Sequence, residues 1–133
     1  MYLMILDADK RHIFLDLELY MVNADEDFSN EEKMIIDAHC MEMHIDNNQY
    51  EPHLPLDEVL KRIKDNFSAR EKHIVFLELA GAILADGILH EGEQKLVSLL
   101  KECLELSQDE IDRAYLIMSE MKSVYEKCAE YVR

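Results

Sequence analysis

Apolar residues recur at helical spacing along almost the whole of this chain, and very little interrupts them. Ile13, Phe14, Leu17, Tyr20, Met21 and Ala24 fall on one face of a 3.6-residue repeat. Met34, Ile35, Ala38, Met41 and Ile45 do the same, as do Leu96, Leu99, Leu100, Cys103 and Leu104. A last run carries Ile111, Ala114, Tyr115, Met118, Met121, Tyr125, Cys128 and Val132. With 3 Gly and 2 Pro among 133 residues, the many turns of an all-β sandwich or barrel are not supplied. The expected fold is all-α: one domain spanning residues 1–133, a bundle of about six helices.

Start signals place those helices. Ser29-x-x-Glu32, Ser68-x-x-Glu71 and Ser107-x-x-Glu110 are capping boxes, in which the Ser oxygen takes an amide of the first turn and the Glu reaches back to the cap amide. Asp7 can cap the first long helix. The pattern predicts helices near 8–24, 30–45, 56–66, 69–85, 91–106 and 108–131, with one clear loop from Asp46 to Pro55. The stretch Ile74–Ala85 is apolar nearly all round and reads as a helix buried on most sides. Glu78 interrupts it, and it is shorter than the roughly 17–25 residues that span a bilayer.

Charge narrows the partners. Acidic residues number 29 against 14 basic, for a net charge of −15. Direct binding to nucleic acid or to anionic lipid is disfavoured by sign. Cations, basic proteins or plain solubility suit it. The cysteines, Cys40, Cys103 and Cys128, are odd in number and contain no C-x-x-C pair, so neither a disulfide framework nor a zinc ribbon is expected. The opening MYLMILDADKR has no basic region and no small-residue cleavage site. Cytoplasmic location is the expectation, and the sequon at Asn66-Phe67-Ser68 is then chance.

The two halves resemble each other. At an offset of 61, Ala8, His12, Ile13, Ala24, Asp25 and Glu32 fall on Ala69, His73, Ile74, Ala85, Asp86 and Glu93. The caps Asp7 and Ser68 also coincide, and the apolar positions Val22, Phe28, Ile35 and Ile45 meet Ile83, Leu89, Leu96 and Leu106. An internal repeat of about 6–45 and 67–106 follows, each copy a helical hairpin, with the two packed about a pseudo-twofold axis. The alternative is chance agreement between two amphipathic helix pairs.

The match is best at the hairpin corners, Ala24-Asp25-Glu26-Asp27-Phe28-Ser29-Asn30-Glu31-Glu32 and Ala85-Asp86-Gly87-Ile88-Leu89-His90-Glu91-Gly92-Glu93. Each has an Asp ending one helix and a Glu seven residues on, in the first turn of the next. An Asp at a helix C-terminus faces the negative end of the macrodipole and calls for compensation. A divalent cation, which takes oxygen ligands, is one candidate; backbone amides in the corner are the other. Neither corner has EF-hand spacing, since Asn30, Ile36 and Ile88 stand where that loop needs Gly, Glu and a ligand. Asp25, Glu32, Asp86 and Glu93 are the candidate metal ligands, and they are expected to converge where the corners meet.

Other chemistry lacks a motif. No G-x-S-x-G, Gly-rich phosphate loop or Cys/His pair with an orienting acid is present, and no Trp is available to wall a sugar site. His39 and His44 lie five apart, off the four-residue spacing that turns two rings to one zinc. His12 and His73 are matched between halves and either pack against the opposite unit or lie on the surface. Met34, Met41, Met43, Met118 and Met121 sit at helical spacing and are expected in the core, the alternative being an adaptable binding surface.

The patterns Phe14-Leu15-x-Leu17 … Ala24-Asp25-x-x-Phe28-Ser29-x-Glu31-Glu32-Lys33 and Phe76-Leu77-Glu78-Leu79 … Ala85-Asp86-Gly87-Ile88-Leu89-x-x-x-Glu93 resemble the TerB-like family of tellurite-resistance proteins, as does Cys40-Met41-Glu42-Met43. The resemblance covers about residues 5–107, and its hallmark is the twice-repeated Ala-Asp-Gly … Glu corner; Glu26 stands where Gly is usual in the first copy. It implies an all-helical bundle of two related halves. It also implies an acidic cluster proposed to bind divalent metal, and a non-enzymatic role in tolerance of tellurite or other stress within protein assemblies near the membrane. The expected function is therefore a non-catalytic acidic module with a weak cation site. The alternative is a metal-free adaptor that docks a basic protein partner.

Overall fold

The computed structural model describes residues 1–24, 29–46, 51–85 and 91–133. Among them are six α-helices and no strand. These are α1 (Ala8–Val22), α2 (Asn30–Met43), α3 (Leu56–Asn66), α4 (Ala69–Ile83), α5 (Glu91–Cys103) and α6 (Gln108–Val132). A short 3-10 turn at Leu3–Ile5, not foreseen from the sequence, precedes them. It exists because Leu3 and Leu6 are both drawn into the core.

Helix starts follow the cap chemistry. The Lys10 amide donates to the Asp7 carboxylate at 3.0 Å. Ser29, Ser68 and Ser107 each form both halves of a capping box with Glu32, Glu71 and Glu110. Helix ends fall about two residues short of the periodic pattern, at Val22, Met43, Ile83 and Cys103. At the ends of α2 and α5 the backbone turns left-handed, at His44 (φ 58°) and Glu105 (φ 56°). Beyond each, the Ile45 amide donates to the Cys40 carbonyl and the Leu106 amide to the Lys101 carbonyl.

The same local structure recurs 61 positions apart. α1 and α4 begin at Ala8 and Ala69 and end at Val22 and Ile83. The Asn23 amide donates to Leu19 and Met21, and the Leu84 amide to Ala80 and Ala82. Lys10 reaches across to Glu71, its counterpart in the second half, with Nζ–Oε distances of 2.9 and 3.0 Å.

α4 is the hub. It packs on α6, α1, α2 and the 3-10 turn, while α1 packs on α3, α4, α2 and α5. So α2 lies against α4, and α5 against α1. Phe14, Leu17 and Met21 of α1 meet Phe76, Leu79 and Ile83 of α4 in one core, which also takes in Val59, Ile63 and Leu100. The near-continuous apolar character of α4 is the consequence of neighbours on several sides. Among the described residues no helix is long and apolar enough to cross a membrane.

α6 behaves differently along its length. Its first half is anchored by Ile111, Ala114, an edge-on contact of Tyr115 with Phe76 (ring centroids 5.6 Å apart) and a His73–Glu110 pair. Lys122 then caps the C-terminus of α4, donating to the Leu84 and Ala85 carbonyls at 3.3 and 3.2 Å. From Ser123 onward every residue of α6 is exposed.

Candidate functional site: corner glutamates and a buried Glu–His–Glu network

Two of the four candidate ligands lie within the described residues. Glu32 stands in the first turn of α2 and Glu93 in the first turn of α5, and each is only 2% exposed. Asp25 and Asp86, with Gly87, lie outside the described residues. The capping-box role of Glu32 is real: its Oε1 accepts the Ser29 amide at 3.1 Å. The same role leaves the Glu71 and Glu110 side chains 16% and 37% exposed, so capping alone does not account for the burial of Glu32. Glu93 faces α6, where burial, and then the charges of Glu93 and Asp112, push the Tyr115 phenol up to about 12. Carboxylate oxygens of this kind suit a hard divalent cation. Among the described residues, no group of three or more His, Cys, Asp or Glu side chains is placed to hold a metal ion.

A second charged cluster was missed by the sequence reading. Glu18 of α1, fully buried, holds His39 Nδ1 at 2.5 Å. His39 Nε2 lies 3.3 Å from Glu78 of α4. Glu78 also accepts the Tyr2 amide at 2.8 Å and lies 2.9 Å from the Met1 amino group, which meets Glu42 as well. Burial by itself opposes the charge on His39, but Glu18 and Glu78 outweigh it and push His39 up to about 9. Burial would raise Glu78; the hydrogen bonds from His39, Tyr2 and the amino terminus overcome this and bring it down to about 2. For Glu18 burial prevails over His39, so its pKa rises.

An imidazolium whose two N–H groups each face a carboxylate has no lone pair to offer a metal or a substrate proton. This network therefore ties α1, α2 and α4 together. Its signal in the sequence was the placement of Glu18 and Glu78 inside apolar runs, which demands a counter-charge.

Other expectations resolve individually. Asp16, also buried, accepts the His53 and Leu54 amides at 3.2 Å and fastens the loop that follows α2. His12 lies against His53, with ring centroids 6.1 Å apart, rather than against the opposite hairpin. Cys40 and Cys103 are buried free thiols and Cys128 is an exposed one. The methionines depart from the core expectation. Met43 is buried and Met118 packs partly buried against the core, but Met34 and Met41 are exposed. Met34, Met118 and Met121 instead line an apolar groove of about 320 Å³ between α2, α4 and α6, with Ile35 and Tyr125.

Comparison with known family models, curated proteins and solved structures gives no match.

Proposed function

We propose that this chain is a non-enzymatic, TerB-like helical module whose two corners hold a divalent cation, and that it serves tolerance of tellurite or related metal stress through protein partners. The observation that carries the reading is the burial of Glu32 and Glu93 at matched places in the first turns of α2 and α5. The repeated helix ends, and the crossed packing of α2 on α4 and α5 on α1, support an internal duplication. In that arrangement Asp25 and Asp86 supply the remaining oxygens, and the cation offsets repulsion that four carboxylates exert on the folded state.

Thermal melting with and without Ca²⁺, Mg²⁺ or Zn²⁺ tests this at constant ionic strength. The wild type is expected to melt several degrees higher with the preferred cation, since saturation at about 100 times the Kd is worth about 2.7 kcal/mol. The double variant Asp86→Asn/Glu93→Gln is expected to lose that increment. Equal melting temperatures for the wild type in all conditions would overturn the cation site and leave the metal-free adaptor.

A further inference from the structure

The second half of α6 carries an apolar stripe that, from Val124 onward, lies exposed among the described residues. Ile117, Met121, Val124, Cys128 and Tyr131 follow one another at alternating steps of four and three. That is the a/d spacing of a coiled-coil seam, not the broader face of a helix seated on a globular core. Ile117 and Val124 are 41% and 56% exposed, and Tyr131 is 90% exposed.

Charge along this segment differs from the chain's average. From Ile117 to Arg133 the charges balance: Lys122, Lys127 and Arg133 against Glu120, Glu126 and Glu130. The whole chain carries −15. This segment is thus one where two strongly acidic copies can approach without net repulsion.

We propose that two copies of this chain associate antiparallel along the second half of α6, with the Ile117–Tyr131 stripe as the seam. Antiparallel register stacks Ile117 of one copy on Cys128 of the other, and Met121 on Val124. Glu120 of each copy then faces Lys127 of the other on one flank. On the other flank Met118 meets Tyr125 at the mouth of the apolar groove, both of them groove-lining residues. Parallel register would instead set Glu120 against Tyr125 and Lys127 against Val132, pairing no charges and bringing the acidic bundles side by side. The inference is independent of the cation site.

Sedimentation of the full chain over a concentration series is the first test, and it is expected to show a reversible monomer–dimer equilibrium. Glu120→Lys and Lys127→Glu, both at exposed positions, are each expected to weaken the dimer roughly tenfold by turning two attractions into repulsions. The combined variant is expected to restore it, which a merely local role would not do. Oxidation of Ile117→Cys is expected to yield a cross-link to Cys128 of the other copy. In the wild type the two Cys128 residues sit roughly 16 Å apart along the seam, too far for a disulfide. A chain that stays monomeric up to roughly 100 µM, a range where weak specific dimers still register, would overturn the proposal and assign the stripe to a different protein. Efficient Cys128–Cys128 cross-linking in the wild type would overturn the antiparallel register.

Discussion

His39 keeps its proton because two carboxylates hold it, and the consequence is a defined pH window. A histidine raised from 6.5 to about 9 contributes stability that is complete below about 6.5 and disappears as pH rises through about 9. Glu78, lowered from 4.5 to about 2, contributes stability present above about 4.5 and lost as pH falls through about 2. Between about pH 4.5 and 6.5 both contributions stand in full. Wild-type stability measured by urea denaturation is therefore expected to fall between pH 6.5 and 9, by an amount on the order of 3 kcal/mol at most. His39→Gln is expected to be less stable throughout and to lose most of that alkaline slope. An unchanged slope in the variant would assign the pH dependence to other groups. Glu18, Asp16 and Glu78 show in the sequence only as acids within apolar runs. What distinguishes them is burial, and burial depends on which helices touch.

At the scale of elements, the starts were readable and the ends less so. A capping box is complete within four residues, so Ser29, Ser68 and Ser107 mark their helices whatever the rest of the chain does. An end depends on where the backbone first finds a better partner, and His44 and Glu105 turn left-handed with no glycine to advertise it. The α4–α6 contact illustrates the same limit. Gly81 lies within α4 because α6 crosses it closely: a Cβ there would sit 2.7 Å from Met118 Cε. The terminal methyl can swing aside for Gly81→Ala, but Gly81→Leu has to displace α6. That variant is expected to lose about 1–3 kcal/mol and to expose α6 to limited proteolysis ahead of the other helices. Resistance equal to the wild type would show that α6 is held mainly by Ile111, Tyr115 and Lys122.

For the whole molecule, a charge of −15 on 133 residues means that the folded state works against its own field. Raising NaCl from 0.01 to 0.15 M shortens the screening length from about 30 to about 8 Å. The melting temperature is expected to rise with it, whereas a fold held mainly by surface ion pairs would soften. A divalent cation acting only as salt would give the same curve at equal ionic strength, so any increment beyond it belongs to a site. Composition, periodicity and cap motifs were enough to specify six helices in their order, because each of those signals acts over one or two turns of chain. The sequence does not separate Glu32 from Glu71 and Glu110, three identical capping residues, yet only Glu32 loses its water. Nor does it join Glu18, His39 and Glu78, far apart along the chain, into one ion network. Those outcomes depend on which faces are pressed together when the helices pack, and removal from water, not residue type, sets the energy of a charge.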